Sequence, residues 1–239
     1  MRERIIITFV AILTILVISG GCKVMNDNEM KAAAEKAMAD KYGESFKAIE
    51  AEAIDRDSSY VWLRPDRIPA AVVKAAVNKD GTGLSDNYIT VKLCHETSEK
   101  VEWDLRHYTG DYYVHTDNSL EYTSADDKSI TAAEYVSDNP ADYFVVSVII
   151  NAGNADMNAL CEELIKAANA LDLNRGYIDV YKLNSDEYTR IQNDIARYDN
   201  MSSSEVKYTL DDAGGPQISM DLSVKYTNSA EIMRGTENE

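Results

Sequence analysis

Long apolar runs are scarce in this 239-residue chain: the longest, Ile5 to Ile18, has 14 residues, short of the roughly 20 that a spanning helix needs. Basic residues are scarce as well. Lys and Arg number 24 against 41 Asp and Glu, a formal charge of −17, so nucleic acid and anionic lipid are both repelled. Histidine, cysteine and phenylalanine occur three times each, and the usual catalytic signatures are missing. No Gly-x-Ser-x-Gly elbow occurs, and Gly81-Thr82-Gly83 lacks both the third glycine and the following helix of a dinucleotide site. His95-Glu96-Thr97-Ser98-Glu99 starts like a zinc-protease helix but puts Glu99 where the second histidine belongs. His107 and His115 fall on other segments, so their convergence with His95 and Cys94 is unforced.

The remaining motifs have plain explanations. Asn78, Asp80 and Thr82 echo the start of a calcium loop, yet Ile89 stands at the twelfth position in place of a bidentate glutamate. A tight turn accounts for the same residues. Ser204-Glu205-Val206-Lys207 spells Ser-x-x-Lys on an expected strand, where the two side chains point to opposite faces. Asp126-Asp127 and Asp211-Asp212 are solvated loop carboxylates. No cofactor and no metal ligand are expected. A hydrolase using acids or a metal from the His95–His115 region is the competing class.

What the chain does have is an N-terminal address. Arg2 and Arg4, with Glu3 between them, precede the apolar run, and Ile18-Ser19-Gly20-Gly21-Cys22 follows it. The run suits a signal-peptide core, with an uncleaved signal anchor as the alternative. The segment resembles a bacterial lipobox, with Ser19 at the position of the usual aliphatic residue and Ile18 one place earlier. The resemblance implies a diacylglyceryl group on the Cys22 thiol, removal of residues 1–21, palmitate-type acylation and a lipoprotein on the outer face of the cytoplasmic membrane. The mature chain would carry −18 over 218 residues. Residues 22–27 form a short tether, and the five from Lys23 to Asp27 reach at most about 17 Å.

Hydrophobic periodicity predicts an α+β fold of mostly antiparallel sheets with packed helices, in one large or two small modules. An N-terminal module over 28–116 opens with an alanine-rich helix, Asn28–Lys41. Strands follow at Phe46–Ile54, Tyr60–Leu63, Ala71–Val77 and Tyr88–Cys94, then a helix near Thr97–Tyr108 and a strand at Tyr112–His115. Polar residues 116–128 mark a boundary. The C-terminal module, 129–226, begins with a capping box at Thr131–Glu134. Next come a buried strand Tyr143–Ile150, helix Asp156–Leu173, strand Tyr177–Leu183, helix Asp186–Tyr198 and a hairpin of Glu205–Leu210 with Gln217–Tyr226. Residues 227–239 are expected to fray. Cys94 and Cys161 are buried free thiols or, alternatively, a disulfide.

Tyrosine outnumbers phenylalanine fifteen to three. Tyr60, Trp62, Tyr112 and Tyr113, with Tyr108 and Trp103 nearby, form the candidate recognition surface. Outward rings on a strand face stack on sugars or hold an extended peptide, whereas core packing is the competing explanation.

Lys41-Tyr42-Gly43-Glu44-Ser45-Phe46 after an alanine-rich helix, with Asp80-Gly81 and Asp86-Asn87-Tyr88 later, resembles small lipoproteins of Gram-positive bacteria over roughly residues 1–115. That family carries no assigned chemistry, so the resemblance implies an address and a layout alone. The helix-plus-sheet layout is also similar to PepSY-type domains, which implies a peptide-contacting or protease-modulating role. The sequence thus describes a non-enzymatic binding module held in the cell envelope through Cys22, with a protein, peptide or glycan partner.

Overall fold

A computed structural model of the chain describes residues 26–55, 57–69, 71–78, 80, 82–118, 127–198, 210, 214–228 and 232. It has the expected α+β architecture, two four-stranded sheets with helices packed on them.

Helix α1 (Asp27–Tyr42) starts at Asn26, whose side chain accepts from the Glu29 N–H while the Glu29 carboxylate accepts from the Asn26 N–H, each at 3.0 Å. This reciprocal pair satisfies two donors that a helix start leaves open. Gly43 ends the helix with a φ of 67°, a left-handed conformation in which a side chain is strained. Met30, Ala34, Met38 and Tyr42 form a four-residue stripe along its buried side. They lie against β1 (Phe46–Ala53), β2 (Ser58–Pro65) and β3 (Val73–Asn78), an antiparallel meander completed by β4 (Ser85–Asp86). Alternation decides which side chains meet the helix. Val61, Leu63, Val73, Ala75 and Val77 turn inward, and Tyr60, Trp62 and Lys74 turn outward.

Directly after β4 the chain enters α2 (Tyr88–Leu105), which corrects the expectation of a strand at Tyr88–Cys94 followed by a separate helix from Thr97. The alternating Ile89, Val91 and Leu93 suggested a strand. However, Ile89, Leu93, Thr97, Val101 and Leu105 continue at intervals of four and are all buried, whereas Val91 is only half-buried. Asp86 supplies the start signal, since its Oδ1 accepts the Tyr88 N–H at 2.9 Å.

The Asp86 side chain has no exposed surface. Its Oδ1 also accepts from the Tyr42 hydroxyl at 2.8 Å, and its Oδ2 pairs with the Lys41 Nζ at 3.1 Å. The Tyr42 and Tyr88 rings lie 4.5 Å apart, and Phe46 meets Tyr88 edge-on at 5.2 Å. Asn87 ties the same turn to β3, with its Oδ1 accepting from the Lys74 N–H at 2.8 Å. The two short motifs, Lys41–Phe46 and Asp86–Tyr88, are thus the two halves of one buried joint.

The second sheet has the order β5 (Tyr112–Asn118), β6 (Phe144–Asn151), β7 (Gly176–Leu183), β8 (Ile218–Asp221). Strand β5, expected with the first module, hydrogen-bonds to β6 and belongs here. Helix α3 (Ala132–Asp138) opens with the expected Thr131–Glu134 box. β6 is buried from Phe144 to Ile150, as a strand covered on both faces must be. Helix α4 (Met157–Leu171) connects β6 to β7 in parallel, while the other pairings are antiparallel. Helix α5 (Ser185–Tyr198) lays Tyr188 and Ile191 over Ile149, Tyr181 and Leu183 on the sheet's outer side.

The final strand is shorter than expected. It stops at Asp221, whose Oδ1 accepts from the Ser223 N–H in a tight turn, and it pairs with β7. Of the expected hairpin's other arm, residues 205–209 lie outside the described residues. Ile232, in the segment expected to fray, is buried in the core. That core is continuous: α2 packs on α4 and β5, and buried side chains of both sheets form one cluster with it.

Two outcomes follow from the Asp86 joint. Asp86→Ala removes the shared acceptor of the Tyr42 hydroxyl, the Tyr88 N–H and the Lys41 ammonium, and urea unfolding should show a loss of about 1–3 kcal/mol. Burial, chiefly, pushes the Tyr42 and Tyr88 hydroxyls well above their ordinary value of 10.0, with Asp86 and Glu44 respectively adding to it. Unfolded tyrosines ionise near pH 10 while these two keep their protons, so stability is full below that pH and falls above it. Each contributes a slope of about 1.4 kcal/mol per pH unit. Unfolding curves between about pH 9 and pH 11 should show that decline, and Tyr42→Phe should make it shallower.

Candidate binding surface

The outer face of the first sheet is built around β2. Ser58, Tyr60, Trp62 and Arg64 alternate away from α1, and the strand register sets their neighbours. Lys47 lies opposite Arg64, Glu50 opposite Trp62 and Glu52 opposite Tyr60 on one side; Lys74 lies opposite Trp62 and Ala76 opposite Tyr60 on the other. A bulge between Ala48 and Glu50 makes this possible. One extra residue, Ile49, resets the alternation, so that Ala48 and Ala51 face the core and both glutamates face out. The bulged edge is capped by α1: the Glu35 carboxylate accepts from the Ala48 N–H at 2.8 Å, and the Lys31 Nζ donates to the Ile49 carbonyl at 2.7 Å. Capping of this kind keeps an edge strand from pairing with another chain.

Tyr60 and Trp62 are half-buried, and their rings meet edge-on with centroids 6.4 Å apart. The Lys74 Nζ sits 4.2 Å from the Tyr60 centroid and 5.8 Å from that of Trp62. The aromatic quadrupole attracts the ammonium there. Among the described residues no carboxylate lies within ion-pair reach of Lys74 or Lys47. Chemically, the surface offers an apolar platform with Lys47 and Arg64 at one end, Lys74 on its β3 side and the carboxylates of Glu50 and Glu52 on its β1 side.

The expected aromatic group divides between the two sheets. Tyr60 and Trp62 come together, but Tyr112 and Tyr113 lie on β5 of the other sheet and point to opposite sides of it. Tyr112 faces Tyr108 at 6.0 Å, with its hydroxyl donating to the Glu102 carbonyl at 3.4 Å. Tyr113 packs against the cluster under α5. Trp103 is 65% exposed on α2, with the Arg106 guanidinium 4.2 Å above its ring. Cys22, the expected lipidation site, lies outside the described residues, as do Ser204 and Lys207.

The histidines are dispersed. His95 is 3.3 Å from Glu99 on α2, His115 is 2.8 Å from Asp117 on β5, and His107 follows the end of α2. No group of three or more metal-binding side chains occurs among the described residues. The calcium-like loop is a turn in which Asp80 accepts from the Thr82 N–H and hydroxyl, and these bonds hold its carboxyl below the usual range. Cys94 and Cys161 are free, with both thiols pushed up by burial and that of Cys94 also by Asp117.

Two features escaped sequence reasoning. Lys74 was one lysine among many, and only the β2–β3 register sets it over the rings. His115, Ser147, Asp179 and Ser219 line up across all four strands of the second sheet, and Ser219 donates to Asp179 at 2.6 Å. Isolated polar residues at buried-strand positions 147 and 179 were the available signal.

No protein-family model matches this chain, and no curated protein does. The crystal structure of a DUF5037 family protein from Ruminococcus gnavus is similar in fold. It superimposes with a TM-score of 0.58 over 87% of this chain and 99% of the other, at 13% identity.

If Lys74 is held by the rings alone, replacing it should cost little. Lys74→Met is expected to lower stability by less than about 1 kcal/mol in thermal unfolding.

Proposed function

We propose that this chain is a lipid-anchored lipoprotein of the outer face of the cytoplasmic membrane, acting as a non-catalytic binding module. The paired Tyr60 and Trp62, on a sheet face that no helix of the described residues covers, carry the binding half of that reading. A half-exposed aromatic pair with charged neighbours is the composition of a recognition surface. The address is supported by the basic start, the 14-residue apolar run and Cys22. Two or three acyl chains hold firmly where one is marginal. A tether of a few residues then keeps the folded body near the bilayer, while its strong negative charge keeps it from lying on anionic lipid. Among the described residues no helix is long and apolar enough to cross a membrane.

Mass spectrometry of the mature N-terminus should find a diacylglyceryl-modified Cys22 as the first residue. Cys22→Ser should move the protein out of the membrane fraction. A native polypeptide beginning at Met1, free of acyl mass and found in the cytosol, would overturn the reading.

A further inference from the structure

We propose that the open face of the first sheet binds a carboxylated polysaccharide, an inference that rests on reading this face as the binding surface. Charge placement is the first argument. In a chain of net −17, Lys47, Arg64 and Lys74 are gathered around Trp62. Lys47 and Arg64 lie directly opposite each other across the strands, and like charges so placed repel. Arg64 is engaged elsewhere, donating to the Pro69 carbonyl at 2.9 Å among its contacts, and no carboxylate of the described residues pairs with Lys47 or Lys74. A ligand carboxylate at this margin completes the arrangement.

The second argument separates glycan from peptide. An extended peptide gains its affinity from backbone hydrogen bonds at a free strand edge. At the β1 bulge those groups are taken by Glu35 and Lys31, and a sheet face presents no backbone donors. A sugar ring needs none, because its C–H face stacks on aromatic carbon and its hydroxyls seek carboxylate acceptors. Tyr60 and Trp62 supply the first, and Glu50 and Glu52, directly across from them, supply the second. The glutamates also select against a densely charged polyanion such as polyphosphate, which they repel. One carboxylate per sugar unit leaves room for both margins to be satisfied.

The chain has two tryptophans, so Trp103→Phe leaves Trp62 as the sole reporter. The lipidated full-length protein in non-ionic detergent is titrated with polygalacturonate and with hyaluronan while Trp62 emission is followed. At least one should give a saturable change. Lys74→Gln should weaken it about tenfold, as should raising salt from about 0.05 to about 0.5 M. Circular dichroism of Lys74→Gln establishes that the fold is kept. Fully methyl-esterified polygalacturonate, polyglutamate and polyphosphate are the comparison ligands. Equal binding of the neutral ester, or stronger binding of polyglutamate or polyphosphate, overturns the proposal, as does failure of both acidic glycans. In each of those cases the location of the protein and its crosslinking to envelope partners on intact cells still decide the broader reading separately.

Discussion

The buried carboxylate of Asp86 is the constraint on which the rest of the architecture depends. Three donors from two distant stretches of chain converge on it: the Tyr42 hydroxyl, the Lys41 ammonium and the Tyr88 N–H. A carboxyl group with no exposed surface is tolerable only when its oxygens find hydrogen-bond partners in this way. Satisfying them sets the end of α1 against the start of α2. Because α1 lies on the first sheet and α2 runs on to the second, the joint also orients the two halves of the core. The rings of Tyr42, Phe46 and Tyr88 pack against one another at the same joint.

The recognition surface is a consequence of that anchoring. Once α1 covers the inner face of the first sheet, alternation along β2 forces Tyr60 and Trp62 to the opposite face. There they have no helix to bury them among the described residues. The Ala48–Glu50 bulge serves both sides at once, returning alanines to the core and glutamates to the rim. Held in this way, the first sheet has one closed face, one open face and a capped edge. Lys74 completes the open face because β3 is registered so that its outward lysine meets the outward aromatics.

Much of the fold could be read in advance wherever periodicity was unambiguous. The alanine-rich helix ending before Gly43, the Thr131–Glu134 box and the continuous apolar run before Asn151 all form the elements expected of them. Reading failed where β-branched residues open a helix. Ile89, Thr90 and Val91 have a strand's composition, and the Asp86 carboxylate that starts α2 through the Tyr88 N–H is held in the core by Tyr42, 44 residues away. It failed again at β8, where Ile218 to Tyr226 alternate cleanly but the turn at Asp221 ends the pairing early.

By itself the sequence determined the α+β class, the identity of most buried side chains, the acidic balance and the expectation of an N-terminal lipid address. These are local properties, carried by spacing and composition. Only the tertiary structure decided which aromatics share a surface, separating Tyr60 and Trp62 from Tyr112 and Tyr113 and placing Lys74 over the first pair. Such groupings are set by sheet membership and cross-strand register, and these depend on contacts between residues far apart in the chain, which no short pattern records.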